Sequence, residues 1–189
     1  MLDKALFFFA DELNSYLQAR TGLLGTKVKV SAIVNEDGKY VMDAESIAIT
    51  ILNIEEETII KDHQRQHVYQ SGQHKVLNPR LNLNLMVMFS AKFAVYDQAL
   101  KYISHVLTFF QNNNSFSSNT YPALDQTVKK LNIELQRLSF DELNQVWAFI
   151  GGKQLPSVIY KVRMIAIQDQ IQNDIQQPIT VIDSTVNVV

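Results

Sequence analysis

The chain has 189 residues, 47% of them apolar and 19% charged, with a formal net charge of −2. That suits one domain with a core, or one domain with an arm, and leaves no basic excess for a nucleic-acid partner. The absence of cysteine excludes disulfides, thiolate zinc sites and cysteine nucleophiles together. Charge below the usual level of about a quarter suits a surface that partners cover.

The N-terminus opens with an amphipathic helix over 2–20. Leu2, Leu6, Phe9, Leu13 and Leu17 recur at steps of three and four, which puts them on one face. Gly22 stands where a left-handed cap ends the helix at little cost. The apolar run 5–10 is too short for a signal peptide and is flanked by acids. No window reaches the roughly 18 apolar residues of a membrane span. A soluble protein made in the cytoplasm, without a membrane partner, is expected.

Val28, Val30, Ala32 and Val34 alternate, predicting a half-buried strand over 27–34. Asn35-Glu36-Asp37-Gly38 is a turn signal. Residues 46–54 are apolar on both faces at their centre and predict a strand inside the sheet. Glu55, Glu56 and Glu57 end it. Polar residues 61–80, with Ser71-Gly72 and Asn78-Pro79, read as a long loop.

The run LNLNLMVMF predicts a strand with Leu81, Leu83, Leu85, Val87 and Phe89 on one face, and Asn82, Asn84, Met86 and Met88 on the other. A long helix follows over 93–110, with a stripe of Phe93, Tyr96, Leu100, Ile103, Leu107 and Phe110. Asn112 to Ser115 end it. The run KLNIELQRL is another strand, with Leu131, Ile133 and Leu135 sharing a face.

Ser139 and Glu142 form a capping box at the start of a short helix, whose buried stripe reads as Phe140, Leu143, Trp147 and Ile150. Gly151-Gly152 stops that helix, and Pro156 places the next strand after it. From Val158 the apolar residues alternate. The order of elements predicts an α+β fold, a mixed and mostly antiparallel sheet with helices packed on it. The stretch up to 178 is rich in Gln and Asp and reads as a linker. Residues 179–189, ITVIDSTVNVV, return to β-type residues. The chain divides into a domain over 1–168 and a linker with a β-prone arm over 169–189.

Catalytic patterns are weak. His63 and His67 stand four apart, with His74 beyond, and helical histidines at that spacing bind zinc. A metal-dependent hydrolase built on them is the alternative function. Their segment has no apolar helical face and no glutamate between the first two histidines, so a solvated loop is the preferred reading. Glu55, Glu56 and Glu57, with Asp62 near, would need burial to split their pKa values for acid–base work. Three acids in a row at a strand end fit solvent or a basic partner better. His105 reads as a surface or capping group. Neither a glycine-rich phosphate loop nor a G-x-S-x-G elbow is present. No cofactor and no enzymatic activity are expected.

Several stretches together resemble one family. They are ITILNIEEET at 49–58, the run from Asn78 to Gln111, the run from Lys129 to Ile167, and the opening helix. They look like the cap, or tail-terminator, proteins of contractile injection systems, phage-tail-like particles of the anti-feeding-prophage and virulence-cassette kind. The resemblance covers nearly all of 1–168. It implies a tail-terminator-like α+β subunit, six of which form a ring on the end of the tube and sheath. Such a ring ends polymerisation and ties the last sheath layer to the tube. It implies a homo-oligomer with sheath and inner-tube partners, in a particle made in the bacterial cytoplasm and then released or anchored. The β-prone arm offers Ile179, Val181, Ile182, Val186, Val188 and Val189 to a neighbour's sheet edge. Glu55, Glu56 and Glu57 are the expected charged contact.

Overall fold

A computed structural model describes residues 1–22, 27–57, 66–70, 73–77, 82–166 and 175–176. Its described elements are α1 (Leu2–Thr21), β1 (Val28–Val30), β2 (Ser46–Glu56), β3 (Gln66–Gln70), β4 (Gln73–Leu77), β5 (Asn82–Lys92), α2 (Tyr96–Asn112), β6 (Ser115–Ser117), β7 (Val128–Leu135), α3 (Phe140–Ile150), β8 (Ser157–Ala166) and β9 (Ile175–Gln176). Six strands form one mixed sheet in the order β1-β2-β5-β8-β7-β6. Only β1 runs parallel to its neighbour; the other pairings are antiparallel.

One face of this sheet carries α1 and α2 over the main core. Leu83, Leu85, Val87 and Phe89 of β5 point into it, as their period of two requires. Rings fill the space between layers. Phe9 meets Phe110 edge-on at 5.6 Å, Phe8 meets Phe116 at 5.4 Å, and Phe89 meets Tyr160 at 5.7 Å. Such pairs add about 0.5–1.5 kcal/mol each beyond their buried area. Burial pushes the Tyr160 phenol up to about 12.

The opposite face is covered in part by α3 and the 31–42 segment. Ile33, Met42, Ala48, Met88, Trp147 and Ile159 make a second, smaller core there. β5 is therefore buried on both faces at its centre, and Met88 is as enclosed as Phe89. A sandwich of helix, sheet and helix explains the apolar character of both faces of β2 and β5.

Several expectations need correction. The strand predicted over 27–34 is only Val28–Val30; Val34 instead makes a single bridge to Tyr40 across the Asn35–Gly38 turn. Residues 61–80 are not one loop, because β3 and β4 pair antiparallel with Gln70 opposite Gln73. A hairpin of polar strands has no apolar period to betray it, and Ser71-Gly72 is its only signal. Ile175–Gln176, inside the stretch read as a linker, pairs with β4. Ser115, expected only to end the helix, instead opens β6, which pairs with β7.

The stripe of α2 is also rotated. Its buried residues are Ala99, Tyr102, Ile103, Val106, Phe109 and Phe110, whereas Tyr96 is 68% and Leu100 43% exposed. Two apolar stripes share Ile103 and Phe110, and the small Ala99 lets the second approach the sheet more closely. In α3 only Trp147 of the expected stripe is buried, and Phe140 is 92% exposed. Leu135, two residues beyond Ile133 in the same alternation, is exposed.

Candidate functional site

α3 starts as the sequence demands. Ser139 Oγ accepts from the Glu142 N–H at 3.3 Å, and the Glu142 carboxylate accepts from the Ser139 N–H at 2.7 Å. The Ser139 N–H first, and then the Ser139 hydroxyl donating to the same carboxylate at 2.9 Å, hold the Glu142 carboxyl below its ordinary range. Gly151, at φ 76°, ends the helix by donating to the Trp147 carbonyl at 3.1 Å. So fixed at both ends, the helix plants Trp147 in the second core. The indole Nε1–H is buried without an acceptor.

Hollows remain along the sides of this helix. One, of about 350 Å³, is lined by Leu52, Met86, Leu138, Val146, Phe149 and Ile159. Its polar rim is Asn53, Glu142 and Gln145, and no base lines it. A second hollow of about 460 Å³ shares Leu138 and Ile159 and runs out past Leu135 and Val158. Phe149 stands over the first at 87% exposure. The sequence held one signal for it: Phe149 is an apolar residue off the 143–147–150 stripe.

Beyond α3 this face turns polar. In register, Glu55 lies beside Asn84, Asn84 beside Arg163, Arg163 beside Asn132, and Asn132 beside Ser115. Arg163 donates to Glu134 at 3.3 Å, and Ser115 to Asn132 at 2.9 Å. At the end of β2, Glu55 and Glu56 are exposed, while Glu57 is half-buried and accepts from Asn84 Nδ2 at 2.9 Å. The three acids therefore do not form one buried catalytic group. Glu55 is bonded instead by Asn53 Nδ2 at 2.8 Å.

β1 covers β2 only at Ile47–Ile49, and beyond it the outer side of β2 is blunted. At β2 a bulge inserts Leu52 between the pairs Ile51–Val87 and Asn53–Met86. The Ile54 N–H bonds Asn53 Oδ1 at 2.9 Å, so a side chain occupies it.

His67 lies in β3 opposite Val76, and His74 lies in β4 opposite Tyr69. Backbone of this kind does not give His67 the helical spacing that a zinc pair needs. His63, Asp62 and the arm residues Ile179, Val181, Ile182, Val186 and Val188 lie outside the described residues. Among the described residues no three His, Asp or Glu side chains stand close enough to hold a metal ion. His105 is not a cap: it packs between the rings of Tyr16 at 6.4 Å and Tyr102 at 6.3 Å. Among the described residues no helix is long and apolar enough to cross a membrane.

The mixed six-stranded sheet with two helices on one face and one on the other resembles the fold of solved terminator and cap structures. The chain aligns over 95% of its length with a structure described as the sheath/tube terminator of an extracellular contractile injection system in its extended state. The TM-score is 0.63 and the identity 18%, over 63% of that chain. It aligns over 93% of its length with the tube-terminating cap of the anti-feeding prophage, at a TM-score of 0.62 and 15% identity, over 59% of that chain. The chain thus spans about three fifths of the length of each of these relatives. No curated protein sequence matches it. The chain belongs to the Pvc16 N-terminal domain family, whose model matches residues 8–181.

Proposed function

We propose that this chain is a structural, non-enzymatic cap of a contractile injection particle. It sits on the end of the tube and sheath, ends their polymerisation and anchors the last sheath layer. The observation that carries this reading is the fold match over 95% of the chain to a sheath/tube terminator, joined to family membership. Six copies close a ring by head-to-tail contacts. Residues 1–168 build the ring, and the β-prone residues 179–189 reach a neighbour. Exposed Glu55 and Glu56 meet basic groups of the sheath or tube, with Glu57 steadied by Asn84. Those contacts weaken with salt.

The test is to add the purified chain to tube and sheath subunits as they polymerise and to image the particles by negative stain. Density at one end and shortened particles are expected. Undecorated ends and unchanged lengths would remove the reading. Replacing Glu55, Glu56 and Glu57 together by Lys should loosen attachment, and deleting 179–189 should weaken it; indifference to either discards that contact alone.

A further inference from the structure

The hollow under Phe149 and the outer stripe of α2 are two apolar surfaces on opposite faces of one sheet. Phe149 stands 87% exposed over a floor of Leu52, Met86 and Ile159. On the far side, Val95, Tyr96 and Leu100 are exposed beside the α1–α2 layer, the last two one helical turn apart. One surface is concave and the other convex. An apolar floor with Glu142 at its rim and no lining base calls for an apolar knob with a cation at its shoulder. Lys101 follows Leu100 and is exposed, held by Asp97 at 2.7 Å within its own turn. Tyr96 and Leu100 have the spacing of a helix laid in a groove.

We propose that the α3 groove receives the Tyr96–Leu100 stripe of a second copy of this chain. This rests on the capping reading for its ring, and supplies the contact that builds it. Because groove and stripe are different patches on opposite faces, each copy uses one of each. The contact repeats head to tail, and neither patch is satisfied by pairing with itself.

The chain has no cysteine, so single thiols can be placed cleanly. Phe149→Cys and Leu100→Cys variants, mixed in equal amounts without tube or sheath, are treated with a short bismaleimide. A cross-linked dimer is expected from the mixture and from neither variant alone. No dimer from the mixture, or an equal yield from Phe149→Cys alone, overturns the proposal. In a second measurement, Phe149→Asp and Leu100→Asp should each weaken self-association at least tenfold in analytical ultracentrifugation. The two mixed should recover dimers through their one intact contact. Phe140→Asp, on the other flank of α3, should associate as the parent does; an equal loss there also overturns the proposal. All three positions are exposed, and unchanged melting by circular dichroism confirms that each variant folds. Failed cross-linking with end decoration intact rejects this contact and spares the capping function. Cross-linking without end decoration does the reverse.

Discussion

The side chain of Asn14 stands against Val28 as a neighbouring strand would. Its Oδ1 accepts from the N–H groups of Val28 and Lys27, each at 2.9 Å, and its Nδ2 donates to the Val28 carbonyl at 2.9 Å. The outer edge of β1 is thereby closed by α1 itself, which stops that edge from recruiting another chain. Asn14→Ala strands these groups in a partly buried place. We expect a loss of about 2 kcal/mol in urea unfolding, from the cost of unmade hydrogen bonds. Asn14→Asp keeps the acceptor and should lose less. Equal stability of Asn14→Ala and parent would mean that water replaces the amide without cost.

Glu45 is the one non-glycine residue with positive φ among those described, at 56°. Its carboxylate accepts from the Ala94 N–H at 2.7 Å and so holds the approach to α2. Glu45→Ala loses the bond and keeps the strain. Glu45→Gly loses the bond and removes the strain, worth about 1 kcal/mol. The glycine variant should therefore melt above the alanine variant. The reverse order would show that the backbone there is not strained.

Trp147 anchors α3 in the second core, and its indole N–H has no acceptor. Trp147→Phe should consequently cost only the lost ring volume. Trp147→Ala should cost about 3–5 kcal/mol, as for other large buried aromatics. Chemical denaturation separates the two. If both variants fall equally, the indole N–H is engaged after all.

Lys4 reaches from α1 to Asp125, just ahead of β7, at 2.7 Å. The Lys4 ammonium, with the Thr127 hydroxyl and N–H, holds the Asp125 carboxyl far below its ordinary range. A carboxyl depressed in the folded state stabilises above its unfolded pKa, and that share is lost as pH falls through the folded one. Asp125→Asn should lower the melting temperature at pH 7, and its deficit should shrink as pH falls below about 4. A deficit that is constant with pH would assign the effect to packing.

Local chemistry was legible in the sequence wherever it closes on itself. The Ser139–Glu142 box, the Gly22 and Gly151 caps at φ 67° and 76°, and the alternation of β5 are contacts between near neighbours. What covers a face is not local. The apolar residues of α2 allow two stripes, and only the sheet beneath selects Tyr102 and Val106 and leaves Tyr96 and Leu100 outside. The same holds for Phe140 and Phe149. Both are apolar, and they stand on sides of α3 that no further described layer covers.

From its residues alone the chain determined that it is an α+β protein with a mostly antiparallel sheet, where α1 and α3 begin and end, and which family it resembles; α2 starts at Tyr96, three residues after the apolar period suggests. The tertiary structure decided which apolar side chains are left over. Periodicity states that a face is apolar, but only packing across three layers states whether another layer exists to cover it.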